Sequence, residues 1–157
     1  MQNKERIIMD KSQKVNAILE IAKAFYNRGA YIQYDQRSLD RIVQLTPRAT
    51  KYMPPEAATR QNTVFLDCST LMNSIYYQTF GEELTADLTW HMIDYVKPRV
   101  MYYEFSHTES AKELDEIETK IRKLLEPGDI ITYSRIIGSG HTVMYIGDNK
   151  FIHCTPN

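Results

Sequence analysis

Between Glu126 and Cys154 the chain carries three β-type runs divided by glycine-rich turns, and this segment constrains the fold more than any other. Residues 130–137 and 141–146 flank Gly138-Ser139-Gly140, and Gly147-Asp148-Asn149 separates the second run from residues 150–154. Short turns join neighbouring antiparallel strands, so the spacing predicts a meander. Upstream the pattern is helical. Asp10-Lys11-Ser12-Gln13 has capping-box spacing, Val15, Ile18, Ala22 and Phe25 recur at helical intervals, and Asn27-Arg28-Gly29 is a stop signal. Together these predict a helix over 11–27. A second helix is expected over 68–80, closed by Gly81. A third is expected over 109–125, with Leu114, Ile117, Ile121 and Leu124 on one stripe, Glu116–Lys120 and Glu118–Arg122 spaced as i,i+4 pairs, and Pro127-Gly128 beyond it. Helices first and a meander last give an α+β fold, its N-terminal helices packed on a C-terminal antiparallel sheet.

Between these elements the pattern is weaker. Tyr31-Ile32-Gln33-Tyr34 reads as a short extended piece, 38–45 as a helical turn or two, and 46–60, with Pro47, Pro54 and Pro55, as an irregular excursion. Excursions of this length commonly form the wall or lid of a site. Residues 88–96 have helical character ahead of Pro98. A length of 157 residues with 43% hydrophobic and 25% charged side chains suits one domain with a real core. A net charge of −1, with Lys and Arg spread along the chain, lacks the basic footprint of a nucleic-acid binder. No window approaches the roughly 18 apolar residues of a membrane span, and the charged N-terminus has no apolar run of a signal peptide behind it. The chain ends at Asn157 directly after a predicted strand, which is the expectation for a domain cut from a longer protein, truncated at its C-terminus.

The chemistry-bearing feature is Phe65-Leu66-Asp67-Cys68-Ser69-Thr70, followed by Leu71, Met72, Ile75 and Tyr76 at helical spacing. Asp67 is suited to cap the helix and Cys68 falls in its first turn, where the backbone N–H groups and the macrodipole favour a thiolate. A nucleophile needs a base. His141 opens the middle strand of the meander and His153 lies on the next, so a hairpin turning at Asp148-Asn149 brings two imidazoles together, as cross-strand neighbours about 5 Å apart. The other cysteine, Cys154, alternates with His153 and should face away from the site as a structural thiol; two free thiols are expected.

Three segments resemble, in the right order, the NlpC-type cell-wall cysteine peptidases of the papain-like superfamily. Phe65-Leu66-Asp67-Cys68-Ser69-Thr70-Leu71-Met72 is similar to the family's Asp-Cys-Ser-Gly-Leu-Val nucleophile block. Glu126-Pro127-Gly128-Asp129-Ile130-Ile131-Thr132-Tyr133 resembles its Pro-Gly-Asp strand entry, and the run from His141 to Cys154 resembles its His-Val-Gly-Ile-Tyr hairpin ending in Phe-Ile-His-Ala. The resemblance implies Cys68 as nucleophile, His141 as general base and later acid, and His153 as the orienting third member. It also implies amide hydrolysis through an acyl-enzyme, with peptidoglycan stem peptides as substrate and the γ-D-glutamyl to diamino-acid bond the commonest target. No metal or organic cofactor is implied, and the expected place of action is the cell envelope or beyond it, with cytoplasmic or phage-delivered forms also consistent.

The chain departs from the family at several places. Thr70 stands where the family has glycine, and Gly29-Ala30-Tyr31-Ile32-Gln33-Tyr34-Asp35-Gln36 lacks the glycine pair of the family's Gly-x-Pro-Tyr-x-Trp-Gly-Gly run. An ungapped match puts Ile32 at the tyrosine position, leaving Tyr31 or Tyr34 to supply a hydroxyl beside the nucleophile. Residues 36–64 and 84–126 are longer than a minimal member needs and read as insertions. These departures keep a second class of function in view, a catalytically degenerate module that binds cell-wall peptide or protein. A third reading keeps the three residues for N-acetylmuramoyl-L-alanine amidase or acyltransferase chemistry. Cys68, His141 and His153 also match zinc-ligand types, but no short-spaced ligand pair accompanies them. Trp90, Tyr95, Tyr102, Tyr103 and Phe105 read as a satellite core, His91 and His107 as surface residues, and Glu113, Asp115, Glu116 and Glu118 as the solvated face of the third helix.

Overall fold

A computed structural model describes residues 9–35, 53–82, 84, 110–133 and 140–156. The turns expected at 38–45, the helix at 88–96, the aromatic cluster, His91, His107 and the Gly138-Ser139 turn lie outside these residues. Helix α1 is Lys11–Asn27, and Asp10 caps it: its carboxylate accepts from Gln13 N–H while Gln13 Oε1 accepts from Asp10 N–H, both at 2.9 Å. A 3-10 turn, Gly29–Tyr31, leads into strand β1, Ile32–Tyr34. After a second 3-10 turn at Pro55–Ala57 comes β2, Val64–Leu66, which runs directly into α2, Cys68–Phe80. Gly81, at φ +70°, closes α2 as a left-handed cap. Helix α3, Ala111–Leu124, precedes the meander of β3 (Ile130–Tyr133), β4 (His141–Gly147) and β5 (Lys150–Ile152).

The architecture is α+β, with two sheets among the described residues. The order β3-β4-β5 is antiparallel, as the turns require, whereas β1 and β2 pair in parallel, Ile32 with Val64 and Tyr34 with Leu66. The C-terminal meander was the sequence expectation, and the parallel pair is an addition to it that the sequence reading did not contain. Strands of three residues are too short to show alternation, so their pairing is set by long-range contacts.

Apolar residues of α1, α2 and both sheets meet in the core. Ile18, Ala22 and Phe25 of α1 and Leu71, Met72 and Ile75 of α2 are buried together with Val64 and Leu66 from β2 and Met144 and Ile152 from the meander. Helix α2 packs on α1 and on β4. Each large side chain buried in this way contributes about 1.5–3 kcal/mol. Asp148 and Asn149, at φ +52° and +56°, form the left-handed two-residue turn between β4 and β5.

Candidate functional site

The site is built where β2 passes into α2. Asp67 is buried and holds the helix start with one carboxylate oxygen, Oδ1, which accepts from Thr70 N–H (2.8 Å), Ser69 Oγ (2.9 Å) and Thr70 Oγ1 (2.8 Å). In return Thr70 Oγ1 accepts from Asp67 N–H at 2.7 Å. Thr70 is therefore the return half of a capping box, a job glycine cannot do. This cap places Cys68 as the first residue of α2, its side chain buried at 6% exposure, at the end of the helix where backbone N–H groups favour negative charge.

On the meander, His141 opens β4 and His153 follows β5. His141 Nε2 and His153 Nδ1 are 3.1 Å apart, with ring centroids at 5.2 Å and planes 82° apart. The register pairs Met144 with Ile152, so continuing it by one residue sets Val143 opposite position 153. His153 is thus the diagonal rather than the direct cross-strand neighbour of His141, and the imidazoles span the diagonal edge to face. Burial and, after it, His153 push the His141 pKa down from its ordinary value, which favours a neutral ring. Next to His141, the buried Thr142 fixes the strand: its hydroxyl donates to Ile131 O at 3.2 Å and lies 2.9 Å from Thr132 Oγ1.

Strand β1 runs beside β2, the strand that leads into α2. The parallel register sets Tyr34 beside Leu66, and Asp35 N–H donates to Leu66 O at 3.1 Å, two residues ahead of Cys68. Tyr31 instead packs against the hydrophobic core. Cys154, expected to face away from Cys68, instead meets the strand that leads into α2: its thiol donates to Leu66 O at 3.3 Å. Alternation defines a face and is silent about what that face meets, so the contact was not legible in the sequence. Neither Cys68 nor Cys154 is joined in a disulfide.

Among the described residues, no group of three or more His, Cys, Asp and Glu side chains is placed to hold a metal ion. The arrangement offers a thiol at a helix N-terminus, on a helix packed against the strand that opens with a neutral imidazole, which is itself bonded to a second imidazole. Such parts serve acyl transfer. Compared with known families, residues 57–157 match the family model described as the NlpC/P60 family. Neither the curated proteins nor the solved structures gave a match.

Proposed function

As the chain belongs to the NlpC/P60 family of cell-wall peptidases, in the papain-like superfamily, we propose that it hydrolyses amide bonds in peptidoglycan stem peptides, the D-glutamyl to diamino-acid bond foremost, with Cys68 as nucleophile. The observation that carries this reading is the 3.1 Å contact between His141 Nε2 and His153 Nδ1. With the Nε2 proton donated to His153, Nδ1 of His141 is the basic nitrogen for the Cys68 thiol proton. The Cys68 thiolate attacks the carbonyl carbon, and the Cys68 backbone N–H at the head of α2 stabilises the oxyanion. Collapse breaks the C–N bond as His141 returns its proton to the leaving amine. Water, deprotonated by His141, then attacks the thioester, and the acid and the Cys68 thiol are released.

Tyr34, in register with Leu66, is the tyrosine assigned to the wall beside Cys68; Tyr31 belongs to the core. Thr70 weighs against the degenerate binding module, since the departure from glycine there builds the cap under Cys68. The two insertions proposed within one domain of residues 1–157, at 36–64 and 84–126, are the proposed source of substrate selectivity, and the cell envelope is the proposed place of action. No helix among the described residues is long and apolar enough to cross a membrane.

The test is digestion of defined muropeptides, read by mass spectrometry, with the unaltered protein and with Cys68→Ala. Cleavage between D-glutamate and the diamino acid, reduced by about 10³-fold or more in Cys68→Ala, is the expected result. Release of intact peptide from muramic acid would reassign the activity to an amidase, and transfer of the acyl group to an added amine would reassign it to an acyltransferase. Binding of muropeptide without turnover by either protein would identify the degenerate module.

A further inference from the structure

The carbonyl oxygen of Leu66 is a meeting point. It accepts the Asp35 N–H from the end of β1 at 3.1 Å and the Cys154 thiol from the segment after β5 at 3.3 Å. Leu66 lies two residues before Cys68, and Cys154 one residue after His153. The parallel pair and the meander are separate ladders, so the thiol bond ties the segment carrying His153 to the strand that delivers Cys68. We propose that Cys154 is a positioning residue, whose S–H···O=C bond to Leu66 holds His153, and through it His141, in place relative to the Cys68 thiol.

The surroundings suit that role. Ile152 is buried, His153 is exposed, and Cys154 packs partly against the core, so neighbouring residues on one short segment serve the core and the site alternately. Burial, followed by the nearby Asp67 and Cys68, pushes the Cys154 thiol up to about 12. It stays protonated at neutral pH, keeps its donor, and does not compete with Cys68 as a nucleophile. Sulfur is a weak donor, but a clamp next to a reacting pair acts through geometry, where displacements on the order of 1 Å carry large rate penalties.

The inference rests on Cys68 being the nucleophile, and one experiment separates the two claims. The second-order rate of Cys68 alkylation by iodoacetamide is measured from pH 5 to 9, the adduct located by peptide mass mapping, in the unaltered protein and in Cys154→Ala, Cys154→Val and Cys154→Ser, with circular dichroism verifying the fold. The unaltered protein should show a reactive limb well below the ordinary thiol range of about 8.5. The folded donor-free variants, Ala or Val, should lose about tenfold in rate at pH 6, and Ser, which keeps a donor, should recover most of it. A profile in the Ala and Val variants that matches the unaltered protein overturns the clamp alone, as does a Ser variant no better than Ala. Absence of the low-pH limb in the unaltered protein overturns the nucleophile assignment and the clamp with it.

Discussion

A histidine made less basic by its surroundings leaves a signature in pH. His141 is disfavoured as imidazolium by burial and by His153, so as pH falls the unfolded chain takes up this proton before the folded one does. The stabilisation from its neutral form is therefore complete above about 6.5 and is lost as pH drops through the lowered folded value. On the proposed mechanism the acid limb of kcat/KM should lie below pH 6.5. On the same mechanism His153→Ala removes both the acceptor for His141 Nε2–H and one cause of the low pKa. The expected result is a fall of about 10–100-fold in kcat/KM and an acid limb moved up toward the ordinary imidazole value; an unmoved limb at full rate would place His153 outside the mechanism. At the head of α2, Thr70→Gly deletes the hydroxyl that accepts from Asp67 N–H and loosens the first turn. It should cost about 1–2 kcal/mol, read as a lower urea midpoint; an unchanged midpoint would mean that Asp67 caps α2 unaided. Much of this was legible in the sequence, because Asp-Cys-Ser before a helical run and two histidines across a predicted hairpin are local patterns. The register that sets Tyr34 opposite Leu66 was not, since β1 and β2 are separated by an excursion of some thirty residues.

Turns do much of the placing of whole elements. At Glu126-Pro127-Gly128-Asp129, Asp129 N–H bonds back to Glu126 O at 3.0 Å, and Gly128 has φ +99°, the pattern of a type II turn with proline and glycine at its centre. The same glycine donates to Tyr145 O at 2.8 Å, and a Cβ built on it would lie 3.2 Å from Ile18 Cγ2, so the turn is pressed against both β4 and α1. Gly128→Ala adds left-handed strain and a tight contact, with an expected cost of about 1–2 kcal/mol in chemical unfolding. A variant as stable as the parent would show that α1 yields at Ile18 and that the strain is absorbed elsewhere. Prolines and glycines made this turn and the Asp148-Asn149 hairpin readable from the sequence, as capping residues did for the bounds of α1 and α2. Helix α3 marks the limit of that reading. Its stripe was legible and its Glu118–Arg122 pair forms, at 2.7 Å, but Leu114 and Leu124 remain 46% and 45% exposed, because periodicity aligns side chains without supplying the surface they meet. Glu113, expected on the solvated face, also serves as the return half of the α3 capping box with Ser110.

At the scale of the molecule, the family match begins at residue 57, yet the core does not. Ile18, Ala22 and Phe25 come from α1, and α1 packs on α2, the helix that begins with Cys68. Strand β1 likewise supplies the neighbour of β2 through the Ile32–Val64 and Tyr34–Leu66 pairs. Order of elements made the α+β class legible, but this dependence of the matched region on the N-terminal segment lives in tertiary contacts alone. Removing residues 1–56 would expose the α2 face that carries Leu71, Met72 and Ile75 and leave β2 with an unpaired edge. Two large buried side chains, Ile18 and Phe25, contribute about 1.5–3 kcal/mol each, and the partly buried Leu19, Ile21, Tyr31 and Ile32 add to them. That sum is comparable with the roughly 5–15 kcal/mol that holds a domain folded. A chain of residues 57–157 should therefore lack a cooperative urea transition and show Cys68 alkylation at the rate of an unstructured thiol. Adding residues 1–56 as a separate peptide should restore both in part if packing, rather than covalent continuity, is what the segment provides. A cooperative transition in the 57–157 chain, with the Cys68 reactivity of the full-length protein, would show instead that the matched region closes its own core and that α1 is an accessory layer.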